Sequence, residues 1–426
     1  MITKGLDYKF SVANAPKNGE QDSNMGVQFA TRYTLDANDG YLELPLMDRL
    51  GFGVVRGGAV KFELVDAEGN LPYDKWRALW YETCRDKGFD LLGAVAYNNP
   101  NITAENPPRS PEALKAFAKF AVDYCAFYEQ MYGTPPKDIE VWNEYYLTGT
   151  AFNPDKTTPA DYANMLVAVY NAVKDKYPTV KVWGMSGVGF GEFDWTEQVL
   201  KALPKDGKKY MDGVAVHPYA NTQTPEDADY VTFVKDYKAL FQKYGHEDVD
   251  FYATEWGWPS VGKYGFPDEE QQAANFVRGN VINVANKLFD KISWYAFNDV
   301  GLYNDDKENR FGFVKGAYAQ IGYEAKPLFL MAANYQNLMI GAEFVQSIKL
   351  SDEVTAYQFK LRGGEDAVVL WANKNPETVS LNLGTSQIRL LDAYGNEQAI
   401  SQASGTYTIE TGISPSYLIG SFTQLQ

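Results

Sequence analysis

Cysteine and histidine are scarce, with two of each in the chain: Cys84, Cys125, His217 and His246. No C-x-x-C pair and no H-E-x-x-H segment occurs, which excludes a structural zinc and a zinc-protease site; no metal and no other cofactor is expected. Both cysteines fall in expected helices among apolar neighbours, a common setting for a buried free thiol, and spacing alone fixes no disulfide geometry. No run of about 18 apolar residues is present to cross a membrane. The first residues, M-I-T-K-G-L-D-Y-K-F, lack the apolar core of a secretion signal. That leaves a cytoplasmic protein or a secreted or periplasmic one whose signal lies outside this chain, and the second is the expectation.

Basic blocks are missing as well. With a net charge of −16 and a pI near 4.7 the surface repels phosphate backbones and anionic lipid, so neither nucleic acid nor a membrane is expected as partner. Neutral sugars are indifferent to such a surface, and its first effect is solubility.

Aromatic residues, by contrast, make up 15% of the chain. Trp142, Trp183, Trp195, Trp256, Trp258 and Trp294 all fall near expected strand ends, where an indole serves either as a platform for a sugar ring or as core. Short runs of β-branched and small apolar residues recur at 25–30, 53–57, 91–97, 139–143, 180–185, 213–217, 250–254 and 292–297. Helical patterns separate them. Residues 72–86 place Trp76, Leu79, Trp80 and Thr83 on one face. Ser110 followed by Pro111 opens a helix to about residue 131, and Thr158 with Pro159 and Asp161 opens another that ends at a lysine-rich turn before Pro178. Patterns at 229–244, 268–289 and 327–338 complete the set. Strands alternating with helices imply a parallel sheet, and eight such units close into a (β/α)8 TIM barrel over residues 14–339. From 340 to 426 short strands at 347–350, 354–361, 367–372, 378–381, 388–392, 407–409 and 417–419 are separated by turns such as Arg362-Gly363-Gly364. This reads as an antiparallel β-sandwich, with a strand from 6–13 as a possible addition.

Such a barrel carries its active site at the C-terminal ends of its strands. The residues there are Arg56, Tyr97, Asn143, Glu144, His217, Tyr219, Glu255 and Trp294, with Trp256 beside them. Two apolar strands, I-E-V-W-N-E-Y and F-Y-A-T-E-W-G-W-P-S, each end on a carboxylate, Glu144 on the fourth and Glu255 on the seventh. Desolvating a carboxylate is costly, so a matched pair calls for a chemical reason. Paired carboxylates divide the labour of acetal hydrolysis, one protonating the leaving oxygen and the other attacking the anomeric carbon. Arg56 and Tyr219 are expected to hold Glu255 as an anion, the nucleophile. Glu144, beside that charge and the apolar flank of Trp142, is left as acid/base. Asn143 is expected to donate to a sugar 2-hydroxyl, and His217 to bond the acid or a substrate hydroxyl.

These residues resemble glycoside hydrolase clan A, the retaining β-glycosidases. W-N-E and T-E-W-G are similar to the clan's acid/base and nucleophile motifs, Arg56 to its strand-two arginine, His217 and Tyr219 to its strand-six pair, and Trp294 to its strand-eight tryptophan. F-G-F-V followed by Lys326-Pro327 resembles its approach to the last helix, and Ser414-Pro415-Ser416-Tyr417 the closing strand of its accessory sandwich. Within the clan the chain looks most like the β-xylosidase/iduronidase-type family and its endo-acting bacterial relatives; T-E-W-G-W-P-S also echoes the S-E-T-G-W-P-S of plant-type β-1,3-glucanases. Tyr97-Asn98-Asn99 stands where members often carry a strand-three histidine, and W-N-E-Y replaces W-N-E-P.

The resemblance implies a monomeric retaining β-glycosidase whose partner is an oligo- or polysaccharide of β-glucan or xylan type, with endo action expected. An exo-acting β-xylosidase or β-glucosidase is the alternative. A carbohydrate-binding barrel without catalysis would lack one glutamate, and neither is missing. In the sandwich Trp371 is the one evident sugar platform, although support of the barrel is the favoured role. The acidic turn Asn304-Asp305-Asp306-Lys307-Glu308 lacks calcium-loop spacing and reads as solvated.

Overall fold

The computed structural model describes residues 13–16, 20–28, 37–57, 61–71, 75–151, 153–247, 249–300, 306–316, 322–384 and 387–422. The strand expected over 6–13 falls outside them but for its last residue, and so do Asn304 and Asp305 of the acidic turn.

Strands and helices alternate along the first part of the chain. In order they are β1 (Asp22–Gln28), α1 (Ala37–Arg49), β2 (Phe52–Arg56), α2 (Lys75–Asp86), β3 (Asp90–Val95), α3 (Pro111–Tyr132), β4 (Asp138–Val141) and α4 (Pro159–Lys176). They continue as β5 (Lys181–Val188), α5 (Phe193–Ala202), β6 (Gly213–Val216), α6 (Tyr230–Lys243), β7 (Asp250–Trp256), α7 (Glu269–Asn286), β8 (Lys291–Trp294) and α8 (Pro327–Met339). Each strand pairs in parallel with the next, and β8 returns to β1 through Ile292 opposite Met25 and Trp294 opposite Val27, so the sheet closes into a barrel.

Local chemistry explains several boundaries. The Ser110 side chain accepts from the Ala113 amide with Pro111 in the first helical position, so α3 starts where its backbone donors find a partner. Thr158 and Asp161 form a reciprocal capping box at α4, and Asp268 caps α7. Helices α1 and α5 were not anticipated. The first contains Gly40 and Pro45, both poor helix formers; the second is ten residues long, and its N-cap residue Glu192 makes no side-chain cap bond. The buried face of α2 is Ala78, Tyr81 and Cys84, offset from the expected Leu79–Trp80–Thr83 face. Both cysteines are free and buried.

The barrel interior sets up the site. Val54, Leu92, Trp183, Ala215 and Tyr252 fill it as an apolar layer. Two residues further along β2 and β7, and just past the end of β6, the same inward face carries Arg56, Thr254 and His217. The interior thus changes from apolar to charged toward the C-terminal mouth.

Among the described residues nine strands follow: β9 (Glu343–Ser347), β10 (Val354–Lys360), β11 (Asp366–Ala372), β12 (Glu377–Asn382), β13 (Ile388–Leu391), β14 (Glu397–Gln398), β15 (Ser401–Ala403), β16 (Thr406–Thr411) and β17 (Ser416–Gly420). They form an antiparallel sheet in the order β14-β13-β17-β11-β10-β9 and a second one, β12-β16-β15. Val354, Val368, Leu370, Leu381, Ile409 and Leu418 share a separate core. The first strand starts at Glu343 and ends where the expected one began, at Ser347; all its residues are exposed, so no burial pattern marks it.

The sandwich grips the barrel through polar contacts. Trp371 Nε1 donates to Glu226 at 2.8 Å, Glu226 also accepts from Arg278 of α7, and Ser414 Oγ donates to Glu270 at 2.9 Å. Trp371 is fully buried there and offers no face to a sugar. Among the described residues, no helix is long and apolar enough to cross a membrane.

Candidate active site

At the mouth of the barrel lies a cleft of about 580 Å³, lined among others by Gln28, Arg56, Tyr97, Asn143, Glu144, Tyr219, Glu255, Tyr295, Asn298 and Phe311. Its size suits a small ligand.

Backbone irregularities aim the two glutamates. Along β7 the residues should alternate in and out, yet Thr254 and Glu255 both face the interior. The register against β8 shifts between Ala253 and Trp256, and this bulge turns Glu255 inward and Trp256 outward. At the end of β4, Trp142 and Glu144 adopt left-handed φ values of 69° and 49°. The Glu144 amide donates to the Ser186 carbonyl at 2.6 Å, and Asn153, itself bonded by Trp142 Nε1, holds the Glu144 carbonyl at 2.8 Å. Conformations disfavoured for L residues persist here because several bonds determine them together.

Arg56 is the hub. It is 2% exposed; Nη1 donates to Glu255 Oε1 at 2.6 Å and to Gln28 Oε1 at 2.5 Å, Nη2 to Asn143 Oδ1 at 2.9 Å, and Nε to Glu140 Oε2 at 2.8 Å. Glu140 is fully buried, and its other oxygen accepts from Thr254 Oγ1 at 2.7 Å. Tyr219 Oη donates to Glu255 Oε2 at 2.8 Å. His217 lies between the carboxylates, with Nδ1 3.0 Å from Glu144 Oε1 and 3.5 Å from Glu255 Oε2. Its Nε2 faces Arg56 Nη2 at 3.5 Å and Glu140 Oε1 at 3.8 Å. In either charge state of the ring, a proton on Nδ1 serves the two carboxylates. Gly187, at φ 80°, makes room for that ring, since a Cβ there would lie 2.4 Å from His217 Nε2.

Electrostatics follow from this packing. Burial alone would push the Glu255 carboxyl up; the charges of His217 and Arg56, with bonds from Tyr219 and Arg56, outweigh it and hold the carboxyl below the usual carboxylate range. Burial would push His217 down, but Glu255 and Glu144 raise it. Burial and then Glu255 push the Tyr219 phenol well up, so it stays a donor. Glu144 is the more open of the pair, its side chain 25% exposed against 11% for Glu255. The Tyr146 hydroxyl approaches Glu144 Oε1 at 3.5 Å.

The expected residues therefore divide into two groups. Arg56, Asn143, Glu144, His217, Tyr219 and Glu255 meet in one network, and Tyr97 lines the cleft beside them. Trp256 and Trp294 are not brought there. Trp256 is fully buried against Tyr230 and Phe289, with Nε1 bonded to Tyr230; Trp294 is 1% exposed, packed against Phe276 and Phe313, with Nε1 bonded to the Phe311 carbonyl. Tyr295, one residue on from Trp294, lines the cleft and meets Tyr219 and Phe311 edge to face. Trp142, Trp183 and Trp258 are core as well. Sequence reasoning missed Glu140, Gln28 and Tyr295. Glu140 sits inside the first glutamate strand, and its charge in an apolar run was a readable signal.

Glu144, His217 and Glu255 place ligand-capable atoms within 4.8 Å of one another, the composition of a three-ligand metal site. The fixed positive charge of Arg56 touches Glu255 and would repel a dication, which favours proton chemistry for the same groups.

No family model matches the chain, and comparison with curated proteins finds no match either. Solved structures do match. A family 39 glycoside hydrolase from the gut symbiont Bacteroides cellulosilyticus WH2 aligns over 96% of this chain and 83% of its own, with a TM-score of 0.78 and 21% identity. A monomeric β-xylosidase from Caulobacter crescentus CB15 aligns over 97% and 98%, with a TM-score of 0.67 and 15% identity. The catalytic domain of GH30 xylanase C from Talaromyces cellulolyticus aligns over 97% and 99%, with a TM-score of 0.61 and 14% identity. The shared feature is the fold: a (β/α)8 barrel with an antiparallel β-domain behind it.

Proposed function

We propose that the chain is a retaining β-glycoside hydrolase acting on xylan-type glycans. The observation that carries this reading is the spacing and asymmetry of one carboxylate pair. Oxygens of Glu144 and Glu255 approach within 4.8 Å. So close an approach of single oxygens favours the arrangement of retaining enzymes, whose carboxyl groups stand about 5–5.5 Å apart, over that of inverting ones, which leave about 6.5–9.5 Å for a water.

In this mechanism Glu255, kept ionised by Arg56, His217 and Tyr219, attacks the anomeric carbon. Glu144, more exposed and facing the cleft, delivers a proton to the departing glycosidic oxygen. Water then enters, Glu144 takes its proton, and the ester bond between sugar and Glu255 breaks with a second inversion. Asn143, whose Oδ1 is held by Arg56, is left with its NH2 group to donate to a sugar 2-hydroxyl.

The substrate class rests on the β-xylosidase and xylanase among the similar folds. Endo action is supported by the extent of the cleft, which runs from Leu147 and Thr150 beyond β4 to Lys307 and Glu308 beyond β8, on opposite sides of the ring. A β-xylosidase among the neighbours favours exo action as the second reading; sizing the products released from xylotetraose and xylan separates the two.

The test is Glu255→Gln with covalent trapping. A 2-deoxy-2-fluoro-xyloside with an activated leaving group should add one sugar mass to Glu255 of the unaltered protein. Glu255→Gln should lose turnover and labelling together. Normal hydrolysis by that variant, or a label on another residue, removes the assignment.

A further inference from the structure

The loop that follows β8 contains a polar group the mechanism does not use. Asn298 is 3% exposed and lines the cleft, yet its Oδ1 is buried with no hydrogen-bond partner among the described residues. An unpaired buried acceptor costs free energy and calls for an explanation.

The backbone at Asn298 is firmly held. It bridges to Val314, and the next amide, of Asp299, donates to the Val314 carbonyl at 2.9 Å. The Asp299 carboxylate accepts from the Gly312 amide at 2.8 Å and from Lys326 Nζ at 3.0 Å. Lys326 is wholly buried and also donates to Ser260 Oγ at 2.8 Å, tying the β7 loop to the β8 loop. Gly312 packs so closely that a Cβ there would stand 2.2 Å from the Asp299 amide. Burying a lysine is expensive, and its ammonium is held below the usual lysine range by that burial, against the pull of Asp299. What this costly cluster secures is the position of the residue next to Asp299.

Resting on the glycosidase reading above, we infer that Asn298 is a specificity-determining residue whose carboxamide binds a substrate hydroxyl, with the Lys326–Asp299 pair holding it toward the cleft. On binding, the carboxamide turns to bring Oδ1, closed to water in the free protein, onto a sugar hydroxyl that supplies the donor it lacks. The group is then unsatisfied in the free protein and satisfied in the complex, so it favours binding without adding to stability.

That division is what the experiment reads. Asn298→Leu keeps the branching of the side chain and removes both polar atoms, and Asn298→Ala removes them without adding volume, so that overpacking by leucine is told apart from the loss of the carboxamide. Michaelis parameters on xylotetraose and 4-nitrophenyl β-D-xyloside are measured beside the thermal midpoint. The expected result is a KM raised about five- to tenfold, the worth of a hydrogen bond, with kcat within about twofold and the midpoint unchanged or higher. A lower midpoint with unchanged KM overturns the inference, because Asn298 would then stabilise the free fold. A collapse of kcat at constant KM overturns it too, by moving Asn298 into the chemistry. If the unaltered protein hydrolyses neither glycoside, the glycosidase reading fails first, and that outcome is distinct from both.

Discussion

Replacing Tyr219 by Phe removes one hydroxyl and little else, and it tests the proposed role of Glu255 as an ionised nucleophile. The Tyr219 hydroxyl donates to Glu255 Oε2 at 2.8 Å, while Arg56 holds the other oxygen at 2.6 Å. A hydrogen bond to a charged group is worth about 1.5–3 kcal/mol, and nearly all of it belongs to the ionised carboxylate. At about 1.36 kcal/mol per pH unit, the Glu255 titration should move up by about one to two units in Tyr219→Phe. The direction follows from the linkage. Glu255 is held below the usual carboxylate range, and in the proposed mechanism it must be ionised to attack, so activity should be lost as pH falls through its value in the folded protein. Raising that value moves the acid limb of the kcat/KM profile toward neutral pH. The stability that Glu255 contributes, present above its unfolded value and lost as pH falls through the folded one, should begin to fade at higher pH as well. Measuring kcat/KM from pH 3 to 8 on an activated aryl xyloside, with circular dichroism for folding, decides the matter. An acid limb that stays in place in a folded variant refutes the claim that Tyr219 controls the nucleophile.

Two further substitutions probe other contacts. Gly187→Ala places a Cβ about 2.4 Å from the His217 ring at a φ of 80°, so the ring must leave the carboxylates; kcat should fall at least tenfold and stability by about 1–2 kcal/mol. Unaltered kcat in a folded Gly187→Ala would show that His217 is not needed where it stands. Trp371→Phe removes the indole donor to Glu226 and should lower stability by about 1.5–3 kcal/mol in urea titration, leaving kcat on a small aryl glycoside unchanged. A large loss of kcat would instead tie the sandwich to the chemistry.

The sequence was most readable where a local pattern carries the information. All eight barrel strands were anticipated near their observed positions because most are short, largely apolar runs buried on both faces and bounded by polar or turn residues; β1 is the exception, its first half polar and partly exposed. The same property hid where Glu140 points, although its charge within the run was visible. A strand buried on both faces has no in-out alternation to reveal which side chains enter the barrel, and only pairing with distant strands sets Glu140 beneath Arg56. Trp256 and Trp294 were misplaced for a related reason. The bulge that turns Glu255 inward is a mismatch between β7 and β8, and neither strand displays it alone. Gly40 and Pro45 concealed α1, where tertiary packing overrides propensity.

Closure of the barrel also governs when this site can exist. Arg56 comes from β2, Glu140 and Glu144 from β4 and the turn beyond it, His217 from the end of β6 and Glu255 from β7, and the ring is sealed only when β8 reaches β1. A chain leaving the ribosome that has released its first six strands holds Glu144, Arg56 and His217, but not Glu255, and has no sealed interior. Contacts so distant in sequence form late and together. The growing chain therefore assembles no partial network, and the site forms in a single step once β8 has emerged, while strands β9 to β17 are still to follow.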